Sequence, residues 1–271
     1  MFSTGHLFWI GISAVLIAGG LVFCLKRKPP LRKVMTVCLI AGIISEVIKV
    51  FAVAEIVPVV DPVIAWQNGE AVVQWAPNMD YTPYLGAEHL PLELCSLYLL
   101  FSLLALAIKD GPWKHGLYSV MFVSGTIGGI MGIVLSAIAG YYSTPAEYFS
   151  SVRVWQFFLF HSMIVVASLY LGFCPEGGLH FSNWKKAILG LVLLDLPSFY
   201  LNSVLSNPVY MHGELVGVTH RINLFSSYVN PLGLVLTEKW QWIVYLAIRA
   251  ALATCLVLLV FCLLLKKKKE N

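Results

Sequence analysis

Residues 26–54, KRKPPLRKVMTVCLIAGIISEVIKVFAVA, decide the fold. Five cations flank a Pro-Pro pair, and an apolar run from 34 to 54 follows in which Glu46 and Lys49 are the charged residues. About 20 apolar residues in a helix cross the ~30 Å hydrocarbon core of a bilayer, and cations just before such a run mark its cytoplasmic edge. The unit recurs along the chain. Apolar runs near spanning length lie at 6–25, 34–54, 90–108, 116–141, 153–173, 187–206 and 241–265. With 59% hydrophobic and 12% charged residues among 271, and a mean hydropathy of +0.80, there is too little polar surface for a soluble or disordered domain. A nucleic-acid-binding domain and a disulfide scaffold are excluded by the same figures. The pattern predicts an all-α polytopic membrane protein, one seven-helix transmembrane domain over 1–271. The short alternating segments of a β-barrel are missing from the sequence.

Orientation follows from the cations. Lys26, Arg27, Lys28, Arg32, Lys33, Lys109, Lys114, Lys185, Lys186 and Lys266 to Lys269 occupy one set of connections, and Arg153, Arg221 and Lys239 the other. Thirteen against three places the C-terminus in the cytoplasm and the N-terminus outside, in agreement with an odd number of spans. The first run lacks a basic leader and is expected to remain as a helix. The long connections 55–89 and 207–240 are then extracytoplasmic. Their Trp66, Trp75, Tyr81, Tyr84, Tyr210, Tyr228 and Trp240 suit an interfacial aromatic belt, or a cap over the bundle. Gly125, Gly128, Gly129 and Gly132 in the fourth run are spaced for close helix packing.

Ionisable residues inside spans are expensive, so each marks a structural or functional commitment. Glu46 and Lys49, three apart, share a helix face and can pair. Asp195 and Arg249 fall mid-span in the sixth and seventh runs, as expected of a structural ion pair. Helical rise places Glu46 and Lys49 about 8 to 14 Å below the outer boundary, Cys95 about 8 Å and His161 about 12 Å. Cys95, His161, Glu46 and Lys49 thus converge in the outer half of the bundle. There a histidine could take the thiol proton, Lys49 could stabilise the negative charge that develops, and Glu46 or Glu93 could orient the imidazole. Gln156 and Asn202 are neutral polar companions. The set suits acyl transfer through a thioester. The same charges would also line the path of a transporter or ligand-sensing seven-helix protein, or serve an intramembrane hydrolase with water as acceptor.

The stretch His89-Leu90-Pro91-Leu92-Glu93-Leu94-Cys95, with His161 inside Phe157-Phe158-Leu159-Phe160-His161-Ser162-Met163, resembles the paired motifs of the YwaF-like bacterial integral membrane proteins. These in turn resemble a mammalian multipass ether-phospholipid acyltransferase family. Glu46 and Lys49 match that pattern's acidic residue and lysine on the second span. Asn223, Asn230-Pro231 and Trp240-Gln241-Trp242 match its approach to the last span. The resemblance runs from 34 to 265, although relatives often carry histidine where Glu93 stands. It implies Cys95 as acyl-accepting nucleophile and His161 as its base, with phospholipid and lysophospholipid as substrates. Glu46, Lys49, Glu93, Asn202 and Asn223 would then be supporting or substrate-binding residues.

No phosphate-cradling glycine loop, nucleotide fingerprint or paired-histidine zinc motif occurs, so no cofactor and no metal is expected. No nucleic-acid partner is expected either, the partner being the membrane itself. Cys24, Cys38, Cys95, Cys174, Cys255 and Cys262 lie in or beside apolar runs, as free thiols would. In a bacterium the location would be the cell membrane; in a eukaryote the terminal lysines would resemble a retrieval signal for the endoplasmic reticulum.

Overall fold

The computed structural model describes residues 3–67, 70–86, 89, 95–136, 142, 144–206, 208–211, 214–218 and 238–265. Each of the seven apolar runs carries a helix. The elements are α1 (Thr4–Arg27), α2 (Leu31–Val53), α3 (Leu97–Ala107), α4 (Pro112–Val123), α5 (Gly129–Val134), α6 (Pro145–Ser150), α7 (Val152–Phe173), α8 (Trp184–Val204) and α9 (Lys239–Leu265). A π-helical turn at Ser124–Gly128 joins α4 to α5, so Pro112–Val134 forms one span. With α1, α2, α7 and α9 it makes five helices long and apolar enough to cross a membrane, while α3 is shorter. The chain is an all-α polytopic integral membrane protein. α5 ends at Val134, where Leu135 leaves the helical conformation after its N–H bonds Met131, and 137–141 of the fourth apolar run lie outside the described residues. The long connections hold antiparallel hairpins, β1 (Glu55–Gln67) with β2 (Glu70–Tyr84) and β3 (Pro208–Met211) with β4 (Glu214–Val218).

α7 is the central helix: 72% of its apolar window is buried, against 11% for α1 and 17% for α9. The outer helices turn apolar side chains such as Val15 and Leu263 outward, where lipid replaces a protein core. The glycines of α4 and α5 let that span approach α7 closely. A Cβ at Gly125 would collide with the Ser168 side chain and meet Tyr98 at 2.8 Å and Ile164 at 2.9 Å. Gly129 lies in the same way against Val165.

Hydrogen bonds hold the contact at that level. The Ser168 hydroxyl donates to the Met121 carbonyl at 3.0 Å, since a carbonyl can only accept, and therefore accepts from the Tyr98 hydroxyl at 3.1 Å. One side chain of α7 thus ties α3 and α4 together.

At one end α1 stops at Lys28, which adopts a left-handed conformation (φ 47) and returns its N–H to Cys24 before the Pro-Pro break. The end of α7 clasps this corner. The Tyr170 hydroxyl donates to the Pro29 carbonyl at 2.6 Å, and Glu176 accepts the N–H of Leu31 at 2.6 Å, satisfying a donor at the start of α2. Gly178, also left-handed (φ +56), packs the α7–α8 connection against His115 at the start of α4. Arg32, Lys109 and Lys114 line one cleft at this end, where Lys114 beside Asp110 holds its carboxyl below the usual range. The basic connections therefore meet on one face, the cytoplasmic one by the positive-inside rule.

Gly125→Ala should lower stability by about 1 to 3 kcal/mol, because backbone of two helices must part to admit the methyl group. Gly19→Ala, with nothing within 4 Å of the new methyl, should leave stability unchanged or raise it slightly. Thermal unfolding of the two variants in one detergent gives the comparison.

Candidate functional site

Six side chains from α2 and α7 and the turn before α3 make a bonded layer. On α2, Lys49 pairs with Glu46, both largely withdrawn from the surface at 7% and 16% side-chain exposure. The second Glu46 oxygen lies 3.4 Å from the hydroxyl of Ser96, the residue after Cys95. One helical step before Glu46, Ser45 accepts from the Gln156 amide at 2.6 Å, and the amide oxygen of Gln156 accepts from the Arg153 guanidinium. Arg153 fixes the orientation of the Gln156 amide: a flipped amide would turn its NH2 toward the guanidinium and lose that bond. Arg153 sits over the face of Phe157 at 5.7 Å, within electrostatic reach of Glu46, Cys95 and Tyr142.

His161 lies on the next turn of α7 and is 4% exposed. Its Nδ1 meets the Phe157 carbonyl at 2.7 Å, so Nδ1 carries the proton and, in the neutral ring, Nε2 keeps its lone pair. The ring lies tilted against Phe157 at 4.1 Å between centroids and fills the space left by the missing side chain of Gly132. A Cβ at Gly132 would lie 2.7 Å from Nε2. The glycine at this level is thus a seat for the imidazole as well as a packing device.

Cys95 is half-buried, packs against the main core, and opens the turn into α3 with its carbonyl accepting the Tyr98 N–H at 3.2 Å. The Tyr98–Ser168 bond gives a common reference level for α3 and α7. Cys95 stands three residues outward from it and His161 seven, or about 4.5 and 10.5 Å at helical rise. Both residues therefore lie on one side of that bond, Cys95 the nearer to it. A cleft of about 560 Å³ opens at Glu46 and Ser96, with His89 and the apolar Val50, Phe51, Leu99 and Leu100 also lining it. An apolar trough with polar groups at one end suits an acyl chain and its ester.

The remaining residues divide clearly. Asp195 and Arg249 pair across α8 and α9, apart from this layer, and two turns beyond Asp195 Asn202 is fully buried on α8. Pro197 interrupts α8 between them, and the Ser198 hydroxyl bonds the Asp195 carbonyl at 2.6 Å. Glu93 and Asn223 lie outside the described residues. Arg153, counted by sequence among the loop cations, belongs to the first turn of α7 and to the layer itself; its spacing to Gln156, one helical turn, is the signal that pointed there. Ser45 and Ser96 carried no sequence signal, being ordinary small residues of apolar runs. Among the described residues no three His, Cys, Asp or Glu side chains are grouped to hold a metal.

Removing one member of the buried pair leaves the other charge uncompensated. Glu46→Gln should therefore cost about 3 to 5 kcal/mol, whereas Glu46→Leu combined with Lys49→Met should recover most of it. Unfolding of both variants in detergent reads the coupling, and equal loss in the single and the double variant would contradict it. Gly132→Ala should displace the His161 ring and cost about 1 to 3 kcal/mol by the same assay.

The family model described as the TMEM164 family matches residues 1–265. No curated protein and no solved structure matches the chain.

Proposed function

The chain belongs to the TMEM164 family, a multipass membrane family, and from that premise we propose that it is a membrane lipid acyltransferase. It moves a fatty acyl chain from a phospholipid to a lysophospholipid through a thioester at Cys95. The observation that supports this reading is the buried His161 ring, whose Nδ1–H is committed to Phe157 and whose Nε2 keeps a lone pair that can serve as a base for the Cys95 thiol. The resemblance of His89 to Cys95 and of Phe157 to Met163 to the YwaF-like proteins and the ether-phospholipid acyltransferases supports the same assignment.

The reaction balances as follows. His161 Nε2 takes the Cys95 proton, and the thiolate attacks the ester carbonyl of the donor lipid. The carbon–oxygen bond to glycerol breaks, and the departing oxygen recovers the proton from His161, leaving an acyl-thioester and a lysophospholipid. The hydroxyl of a second lysophospholipid then gives its proton to Nε2 and attacks the thioester. The carbon–sulfur bond breaks and the thiolate is reprotonated. The Glu46–Lys49 pair and Ser96 provide the polar end of the site, and the apolar cleft takes the chain. No cofactor enters this scheme. A thiol in apolar surroundings is a poor nucleophile without base and nearby positive charge, which is the reason the layer matters.

In vesicles containing a labelled phospholipid and an unlabelled lysophospholipid, Cys95→Ala should abolish label transfer and His161→Ala should slow it about 10²- to 10⁴-fold. A hydroxylamine-labile acyl group should be found on the Cys95 peptide. Undiminished transfer by Cys95→Ala overturns the proposal, and labelled free fatty acid as the product with no transfer assigns the pair to hydrolysis instead.

A further inference from the structure

We infer that Arg153 holds the phosphate of a phospholipid headgroup at the outer mouth of the site. The inference rests on the lipid-acyltransferase reading and names the feature of the substrate that the site grips.

Charge carries the first step. In the outer layer Glu46 is committed to Lys49, so the half-buried Arg153 is the cation in excess. Among the described residues its hydrogen bond goes to the neutral Gln156 amide, which leaves most of its five N–H donors for another acceptor. Among the described residues the neighbours do not supply the missing anion. Tyr142 shares its hydroxyl with Ser151 at 2.7 Å, and Glu147 caps α6 through Thr144. A cation withdrawn from water without a carboxylate partner favours an anion from outside the chain.

Geometry carries the second step. Ser45 fixes Gln156 and Gln156 fixes one edge of the guanidinium, while the Phe157 ring lies beneath it. The fork is therefore held in place before the ligand arrives, and a planar guanidinium meets two oxygens of a phosphate with two parallel N–H bonds. Arg153 lies eight residues outward from His161, about 12 Å at helical rise. In a glycerophospholipid the esters hang a few bonds inward of the phosphate, toward Cys95 and His161. Gripping the phosphate thus brings an ester carbonyl to the thiol and leaves the chain along the cleft beside Phe51 and Leu100.

The test is a binding measurement in neutral detergent on the full chain and on its Cys95→Ala form, so that its outcome does not depend on acyl transfer. The probes are a fluorescent lysophospholipid and the matching monoacylglycerol, which lacks the phosphate. The unaltered layer should prefer the phosphate-bearing probe at least 10-fold. Arg153→Gln should abolish that preference while leaving monoacylglycerol affinity unchanged, and Arg153→Lys should retain part of it. Equal affinity of the unsubstituted protein for the two probes overturns the inference, even where Arg153→Gln fails to fold. A preference that survives in a folded Arg153→Gln protein overturns it too. Displacement of the lysophospholipid by millimolar inorganic phosphate, with no dependence on the acyl chain, marks a free-anion site and overturns the lipid assignment.

Discussion

In hydrocarbon a polar group has no water to fall back on, and α7 is organised by that constraint. Of its polar side chains, Gln156, His161, Ser168 and Tyr170 each bond at their own depth, whereas the buried Ser162 hydroxyl has no partner among the described residues. Gln156 reaches α2 through Ser45, Ser168 reaches α4 and α3 through Met121 and Tyr98, and Tyr170 reaches the α1–α2 corner through Pro29. His161 turns back on α7 itself. The helix is the mast to which three others are lashed, and the candidate site is the stretch of it where the bond is internal and a ring nitrogen is left over. The glycine stripe follows from the same demand, since a side chain as short as Ser168 reaches a neighbouring backbone only if the helices lie close.

Much of this was legible in the sequence, because the features concerned obey short-range rules. The apolar runs located the helices, three-residue spacing predicted the Glu46–Lys49 pair, and matching mid-span positions predicted Asp195 with Arg249. The gathering of Lys and Arg into alternate connections anticipated the shared basic face at Arg32, Lys109 and Lys114. Other features depend on tertiary contacts that composition does not encode. Ser45 and Gln156 are 111 residues apart, and nothing local in either distinguishes a bonded serine from a packing one. Arg153 was sorted with the loops because it stands where an apolar run begins; its place in the layer depends on the side chain folding inward along α7. The hairpins escaped for a different reason. Glu55–Gln67 and Glu70–Tyr84 carry four prolines, Pro58, Pro62, Pro77 and Pro83, and proline argues against a paired strand except at edges and bulges, as at the irregularity between Pro58 and Val60.

The electrostatic character of the layer separates it from the other intramembrane pair. Asp195 and Arg249 join two helices and balance each other, which is sufficient for a structural tie. The outer layer holds two cations, Lys49 and Arg153, and one described carboxylate, Glu46. A site that must accept a thiolate or a phosphate needs such an imbalance, and a purely structural layer does not. Neutral amide and hydroxyl groups hold Arg153 in place without cancelling its charge, whereas a carboxylate in the place of Gln156 would have closed the site to anions.

Most bonds from the polar residues of α7 and α1 end on main-chain carbonyls: Phe157 for His161, Met121 for Ser168, Pro29 for Tyr170 and Ile133 for His6. A carbonyl is present whatever residue bears it. Evolutionary constraint at these contacts is accordingly one-sided: the donor residue is pinned, while its acceptor's identity is free to drift. Correlated substitution should be confined to contacts where two side chains meet, such as Glu46 with Lys49, Ser45 with Gln156, and Asp195 with Arg249.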